Sequence, residues 1–337
     1  MKCFFIFCFT YRLMLYKNKM KGFTSNRWTY IIYTSTQCEI SIVFEGEKSM
    51  SVLCFDIGGS AVKYGLFHNE NLIEQAKFTT PVNWELMVAE MQAVKKKFEE
   101  THILSGVAIS SPGAVNQVTG MIDGASAVPY IHHFEINKAL ENALGLPVTI
   151  ENDANCSGLA EVTFGVAKNE DSALFIVLGT GVGGCLIIDN KVHHGHQLHG
   201  GEFGYMLLDG ERSFSELGSA VNMTRRYNEV MLTDLSGEEV FAAAVAGDEV
   251  ALKEVETFYH YLALGIYNLQ HAFDPACIVI GGGVSAKTDL VAEVNHRIQA
   301  IKATVEIATL TPDVRVCQYH NDANLLGAVV NFKQLQK

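Results

Sequence analysis

The chain has 337 residues, of which 48% are apolar and 18% charged, a composition typical of a folded protein with a large core and about two domains. The formal net charge of −12 argues against a nucleic-acid partner, which needs a basic face. No apolar run reaches the ~18 residues of a membrane-spanning helix. The eight cysteines lack Cys-x-x-Cys spacing, which favours a reduced, cytoplasmic protein and gives no metal signature.

Residues 1–49 differ from the rest of the chain. They carry a net charge of +4, whereas residues 50–337 carry −16. The apolar run Phe4–Phe9 is short and no small-residue cleavage site follows it, so a secretory signal is not predicted. We interpret the segment as a translated upstream region with the native start at Met50. The alternative is a disordered N-terminal extension.

The first regular pattern is a β-hairpin with a glycine-rich turn. An apolar strand runs into Asp56-Ile57-Gly58-Gly59-Ser60, and a second strand follows. Glycines let backbone N–H groups approach a ligand, and successive N–H groups form an anion-binding nest. With Lys63 as a nearby cation, the turn is a candidate phosphate site at which Asp56 holds Mg²⁺ through water. The alternative is an ordinary Gly-Gly hairpin turn.

Two helices and a rigid loop follow. The helices are predicted over Trp84–Glu100 and Phe134–Leu144, and Gly145 closes the second one. Between them an apolar strand ends in Ser111-Pro112-Gly113, which presents a rigid loop at the edge of the sheet. We therefore expect Gly113 to contact the ligand.

The next strand, Pro147–Ile150, breaks into a cluster of carboxylates and amides, Glu151-Asn152-Asp153-Ala154-Asn155. In α/β folds, ligands bind at such strand ends. We interpret Asp153 as a general base that acts on a bound hydroxyl. The alternative is a helix N-cap, a position that favours both Asn and Asp.

The second half repeats the order of strand, glycine turn and strand. An apolar strand leads into Gly179-Thr180-Gly181-Val182-Gly183-Gly184 and then into another strand. Two such hairpins suggest a duplicated α/β architecture with two phosphate-contacting turns that face each other. The glycines also fit a dinucleotide fingerprint. That motif must open a helix, whereas this loop returns into a strand, so we reject an NAD-type site.

Three further stretches contribute polar groups or glycines. In the loop Gly195–Tyr205 we expect Glu202 to accept hydroxyl hydrogen bonds, and the histidines of the loop lack partners for a metal site. Glu216 supplies another acid where a helix begins; the alternative is a first-turn acid that complements the helix dipole. The glycines Gly281-Gly282-Gly283 lie between a strand and a helix, where they allow the flat approach of adenine and ribose.

These stretches, in this order and spacing, resemble the ROK family (repressors, open reading frames and sugar kinases) over residues 51–335. The resemblance implies an α/β fold of two RNase-H-like (actin-like ATPase) lobes, with mixed sheets flanked by helices and a ligand cleft between the lobes. We assign residues 50–153 to the N-terminal lobe and 154–319 to the C-terminal lobe. A C-terminal helix within 320–337 is expected to pack back on the first lobe. The motifs are Asp56-Ile-Gly-Gly-Ser, Glu151-Asn-Asp-Ala-Asn, Leu178-Gly-Thr-Gly, Gly201-Glu-x-Gly and Ile280-Gly-Gly-Gly.

The resemblance also implies phosphorylation of a hexose with ATP and Mg²⁺, usually at the 6-hydroxyl. By position, Asp153 resembles the catalytic base, and Asn152, Glu202 and Glu216 resemble ligands of the sugar hydroxyls. The residues that resemble phosphate contacts are Gly58, Gly59, Ser60, Gly179, Thr180 and Gly181, and those that resemble adenosine contacts are Gly281, Gly282 and Gly283.

One departure concerns the position where family members commonly carry a zinc-ligand histidine. Tyr205 stands there, and residues 206–214 contain no cysteine, so we predict no zinc site. The aromatic face of Tyr205 can stack against an aglycone on C1 of the sugar. The run Gly201-Glu-Phe-Gly-Tyr-Met-Leu resembles the β-glucoside kinases of the family.

Other readings stay open. Within the family they are a glucokinase and an N-acetylmannosamine kinase. In another class, the chain is a non-catalytic, sugar-sensing repressor, which would need an N-terminal DNA-binding module that residues 1–49 do not resemble. Homodimers are common in the family, so a homodimer is an open alternative.

Overall fold

The computed structural model describes residues 4–8, 11–15, 29–33, 40–44, 51–305, 307–319 and 322–336. The chain divides into two compact units, residues 1–50 and 51–337. In the first unit, four strands pair antiparallel in chain order. The interpretation of residues 1–49 as an upstream region or extension stays a prediction, and much of it lies outside the described residues. The strands are β1 (Phe4–Cys8), β2 (Tyr11–Leu15), β3 (Thr29–Tyr33) and β4 (Ile40–Phe44).

The second unit is built from two large sheets and the helices around them. In its described part, no helix is both long and apolar enough to cross a membrane. The strands are β5 (Ser51–Ile57), β6 (Ala61–His68), β7 (Asn71–Thr79), β8 (Leu104–Ser111), β9 (Ala114–Asn116), β10 (Met121–Asp123), β11 (Val148–Asn152), β12 (Ser172–Leu178), β13 (Val182–Ile188), β14 (Lys191–Val192), β15 (Leu207–Asp209), β16 (Arg212–Ser213), β17 (Cys277–Gly282) and β18 (Val314–Val316). The helices are α1 (Trp84–Glu99), α2 (Ile136–Leu144), α3 (Asp153–Thr163), α4 (Phe214–Gly218), α5 (Ala220–Met231), α6 (Gly237–Val245), α7 (Glu249–Phe273), α8 (Leu290–Thr304) and α9 (Ala323–Leu335).

The two large sheets share one topology. The strand order is β11-β8-β5-β6-β7 in the first sheet and β14-β13-β12-β17-β18 in the second. In the first sheet, β5 forms an antiparallel hairpin with β6 and pairs in parallel with β8. In the second sheet, β12 forms an antiparallel hairpin with β13 and pairs in parallel with β17. The duplicated architecture expected from the two glycine hairpins is therefore confirmed. The boundary between lobes assigned at residue 153 falls on the first residue of α3.

Helix α3 packs against both sheets. Its residues Cys156 and Ala160 belong to a buried cluster with β5, β8 and α9, whereas Leu159 and Val162 belong to a cluster with β12, β13 and β17. Helices α1 and α2 cover another face of the first sheet, and α4 to α8 contribute to the core over the second. Because α3 starts directly after β11, this packing fixes where the polar cluster at the end of β11 lies.

Helices α3 and α9 touch through their backbones. A Cβ atom added at Gly327 would lie 1.7 Å from the carbonyl oxygen of Cys156, so only glycine allows this approach. Near the start of both helices, the hydroxyl of Ser157 donates to Oδ1 of Asn324 at 2.6 Å. The helix pair therefore links the N-terminal end of α3 to that of α9.

We expect Gly327→Ala to lower the free energy of unfolding by about 1–3 kcal/mol, because the added methyl group forces α3 and α9 apart. This is opposite to the usual effect of replacing a helical glycine by alanine, which stabilises by about 0.5–1 kcal/mol. Urea denaturation measures the free energy of unfolding of wild type and of each variant. Gly237→Ala at the start of α6 is the matched control, since its added Cβ meets only the Thr224 hydroxyl at 3.2 Å. Equal changes in the two variants would contradict the packing argument.

Candidate active site

The polar cluster at the end of β11 is organised by Asn152. Its side-chain oxygen accepts a hydrogen bond from the N–H of Asn155 at 3.1 Å, which caps α3. Its amide nitrogen donates to the carbonyl oxygen of Gly113 and to Oδ1 of Asp153, both at 3.1 Å. The helix-cap alternative thus describes Asn152, and both its amide hydrogens are occupied by protein acceptors. The residue holds Asp153 and the Gly113 loop in fixed orientations.

Asp153 is the first residue of α3 and lines a cavity. Burial raises the pKa of its carboxyl group from 3.8 to about 6; the hydrogen bond from the N–H of Ala154 opposes the rise, and the charge of Asp56 adds to it. Among the described residues, Asp153 has no partner in an ion pair. A carboxylate with these properties is mostly ionised at neutral pH and can still accept a proton, as a general base must.

The cavity has a volume of about 360 Å³ and brings together five separate parts of the chain. These parts are the starts of α3, α4 and α9, the turn between β12 and β13, and the loop after Gly201. The lining residues are Asp153, Ala154, Ser157, Val177, Gly179, Thr180, Gly181, Val182, Gly183, Glu202, Gly204, Tyr205, Ser215 and Asn324.

The turn between β12 and β13 is held by α4 and α5. The carbonyl oxygen of Thr180 accepts from the side-chain amide of Asn222 at 2.9 Å, and the N–H of Val182 donates to the hydroxyl of Ser215 at 3.0 Å. A Cβ added at Gly181 would lie 2.9 Å from that hydroxyl. Gly179 and Thr180 are exposed at the tip of the turn. Hydrogen bonds with α4 and α5 thus hold the turn in place, and its exposed backbone borders the cavity.

The first glycine turn, Gly58-Gly59-Ser60, follows β5 but does not line the described cavity. The acid before it, Asp56, does connect to the site. Its Oδ1 accepts from the hydroxyl of Ser110 at 2.9 Å and from the amide of Asn324 at 3.0 Å. The nitrogen of Lys63 lies 3.8 Å from Oδ2. Asn324 therefore joins Asp56 to the cavity that contains Asp153.

The chemistry of this donor set fits Mg²⁺. Magnesium keeps several of its waters and is usually held by one or two carboxylates together with phosphate oxygens. Asp56 supplies a carboxylate near the cavity, and its charge raises the pKa of Asp153, so the two acids interact. Elsewhere in the described residues there is no cluster of three or more His, Cys, Asp or Glu side chains that could hold a metal. The absence of a zinc site remains a prediction.

Glu202, Tyr205 and Glu216 are all expected to contact the acceptor, but only the first two line the cavity. Glu202 and Tyr205 are exposed and line the cavity, and Tyr205 as a whole residue is 76% exposed. Glu216 is exposed and does not line the cavity. Its Oε2 accepts from the backbone N–H of Ser213 at 2.8 Å and from the Ser213 hydroxyl at 2.9 Å, in a capping box at the start of α4. In this structure Glu216 follows the helix-start alternative, and its role as a sugar ligand stays a prediction.

The three-glycine segment lies beside the second turn, because Gly282 pairs with Leu178 in the sheet. The three glycines have different surroundings. A Cβ at Gly281 would lie 2.7 Å from the ring of Phe175, so this glycine serves core packing. Gly282 has a positive φ of 93°. Only Gly283 faces open space, which leaves it as the member of the segment most accessible to a ligand.

Comparison with known proteins shows the same architecture. The "ROK family" sequence model matches residues 52–335. A β-glucoside kinase of Listeria monocytogenes is 33% identical over 297 residues, which cover 85% of this chain and 98% of the relative. A ROK family protein of Streptococcus pneumoniae, solved in complex with sucrose, superposes with a TM-score of 0.78 at 38% identity, covering 85% of this chain and 99% of the other.

A third protein adds a nucleotide complex. A ROK family glucokinase of Streptomyces griseus, solved with glucose and AMPPNP, superposes with a TM-score of 0.67 at 26% identity, covering 85% of this chain and 99% of the other. The expected actin-like ATPase fold, with mixed sheets flanked by helices, is confirmed. Since the family model spans nearly all of residues 51–337, this chain belongs to the ROK family.

Proposed function

We propose that this chain is an ATP-dependent sugar kinase that transfers the γ-phosphoryl group to the 6-hydroxyl of a glucose-type sugar, with a β-glucoside as the favoured acceptor. The observation that carries the proposal is the position of Asp153. It is an acid without an ion-pair partner among the described residues, and it lines the same cavity as the Gly179–Gly181 turn. The relatives named as β-glucoside kinase and glucokinase support the assignment.

The proposed chemistry needs little beyond positioning and charge. The oxygen of the sugar hydroxyl attacks the γ-phosphorus of ATP, and Asp153 accepts the hydroxyl proton. The bond between that phosphorus and the oxygen bridging to the β-phosphate breaks, and ADP leaves. The backbone N–H groups of the Gly179–Gly181 turn are suited to phosphate oxygens, since a turn of this kind forms an anion-binding nest. Asp56 is the residue that would hold Mg²⁺, which when bound neutralises charge on the phosphate groups.

Glu202 and Tyr205 are proposed to determine which acceptor binds. Glu202 lines the cavity and offers a carboxylate to ring hydroxyls there. Tyr205 presents an exposed aromatic ring at the same rim, where it can stack against an apolar or sugar aglycone. These two residues favour a glycoside over a free sugar as the acceptor.

A substrate panel tests the function. Purified protein with ATP and Mg²⁺ is given glucose, N-acetylmannosamine, cellobiose and an aryl β-glucoside, and release of ADP is followed. We expect the highest kcat/KM for the β-glucosides. A preference for glucose or N-acetylmannosamine would favour the other kinases of the family, and no turnover of any sugar would contradict the proposal.

We expect Asp153→Asn to lower kcat by about 10²- to 10⁴-fold, because an amide cannot accept the hydroxyl proton. The affinity for sugar, measured by calorimetry, should remain within a few-fold of wild type, since the side chain keeps its shape. Asp234→Asn, at an exposed position outside the cavity, is the control and should leave kcat unchanged. Wild-type turnover in Asp153→Asn would remove this residue from the mechanism.

The raised pKa of Asp153 gives a pH dependence with a defined sign. The protonated acid cannot act as a base, so kcat/KM for the sugar should fall as the pH drops through about 6, the pKa of this carboxyl group. Initial rates between about pH 5 and about pH 8 measure the profile. The residual activity of Asp153→Asn should not show this fall at acidic pH. A rate that stays constant down to about pH 5 would mean that the carboxyl group keeps its ordinary pKa of 3.8 and that burial does not act on the base.

We expect Tyr205→His to lower the ratio of kcat/KM for an aryl β-glucoside to that for glucose, by about tenfold, because the smaller and more polar imidazole ring offers less surface for stacking. Tyr205→Phe is the matched control, since it keeps the aromatic face and should keep the ratio. Both ratios come from the same coupled assay. An unchanged ratio in Tyr205→His would exclude a contact between this ring and the aglycone.

A further inference from the structure

A buried carboxylate outside the proposed chemistry joins three segments of the chain. Glu151 in β11 is 1% exposed and accepts four hydrogen bonds. Its Oε1 accepts from the N–H of Asn152 at 2.8 Å and from the amide of Asn155 at 2.9 Å. Its Oε2 accepts from the amide of Gln117 at 3.0 Å and from Nε2 of His194 at 2.8 Å.

The pair formed by His194 and Glu151 connects the two sheets. Glu151 lies in β11, an edge strand of the first sheet, two residues before Asp153. His194 follows β14, an edge strand of the second sheet. A change in the distance between the two sheets at this place must therefore stretch or break a hydrogen bond that is mostly shielded from water.

The loop that carries His194 also carries Glu202. The carbonyl oxygen of His194 accepts from the N–H of Gly200 at 2.8 Å, which closes the loop at its base. A Cβ added at Gly200 would lie 2.1 Å from the carbonyl oxygen of His193, so the two ends of the loop are in close contact. Glu202 follows Gly200 by two residues. A displacement of His194 is therefore passed to the backbone that positions Glu202.

We propose that the pair of His194 and Glu151 is a positioning link that sets the separation between Glu202 and the base Asp153 across the cavity. The inference rests on the proposed function, because it assigns the link to the alignment of a bound sugar. Glu202 holds ring hydroxyls from one side, and Asp153 must meet the 6-hydroxyl from the other. His194 lines no part of the described cavity, so it acts through the loop as a positioning residue.

The link is sensitive to pH in one direction. The hydrogen bond to Glu151 raises the pKa of His194 above its ordinary value of 6.5, and burial opposes this rise. The other titratable groups that face Glu151 are the thiols of Cys156 in α3 and Cys185 in β13. Burial, with the charge of Glu151 adding to it, raises the pKa of both thiols well above 9.0, so they stay protonated. The link is charge-assisted below the pKa of His194 and weakens as the pH rises through it.

The experiment compares three variants in the full chain. His194→Ala removes the donor, His194→Gln keeps an N–H donor that does not titrate, and His196→Gln replaces an exposed histidine in the same loop as a control. We expect His194→Ala to raise KM for the β-glucoside by about tenfold with KM for ATP unchanged. In wild type we expect KM for the sugar to rise as the pH increases through the pKa of His194. His194→Gln should retain most of the affinity for sugar and lack this rise. His196→Gln should match wild type.

Two measurements separate failure of the link from failure of the proposed function. Calorimetry with cellobiose and an aryl β-glucoside reports sugar affinity without turnover, and thermal unfolding reports stability. Unchanged sugar affinity in His194→Ala, or equal rises in KM for sugar and ATP together with a lower Tm, would reduce the pair to a structural contact and overturn the inference. If wild type binds sugar without phosphorylating it, the proposed kinase activity is contradicted and the positioning link is not. Wild type that binds none of the sugars would overturn both.

Discussion

The contact between the backbones of α3 and α9 is the constraint on which the site depends. Gly327 has no side chain, and this lets α9 lie directly against the carbonyl oxygen of Cys156. The first residues of both helices are consequently held side by side, with Asn324 hydrogen-bonded to Ser157 and to Asp56. The glycine in α9 thus allows Asn324 to connect the acid of β5 with the first turns of α3.

Much of the fold could be predicted because its signals are local. The hairpins are marked by glycine turns between apolar strands, and the helices by their periodicity and by residues such as Gly145, which adopts the left-handed conformation at the end of α2. The strand that ends at Asn152 is recognisable because polar residues follow an apolar run. In each case the informative residues are neighbours in sequence, so tertiary context changes little.

The site was harder to predict where its residues meet from distant parts of the chain. Asn324 reaches Asp56 across 268 positions and His194 reaches Glu151 across 43, and neither residue stands in a pattern that marks it. The three-glycine segment was difficult to predict for a different reason. The sequence presents Gly281 and Gly283 alike, whereas the structure packs the first against Phe175 and leaves the second exposed. Only tertiary contacts separate a glycine needed for packing from one open to a ligand.

The capping box of Glu216 has a consequence for communication within the protein. The carboxylate that closes the first turn of α4 accepts both hydrogen bonds from Ser213 at Oε2, so a ligand that takes this oxygen competes with the cap. A ligand that recruited Glu216 would release that turn, which carries Ser215, the acceptor for the N–H of Val182 beside the second glycine turn. A ligand bound at Glu216 would then alter the affinity of the second glycine turn for its own ligand. By thermodynamic linkage the reverse would hold to the same extent, so the two substrates would bind with mutual cooperativity.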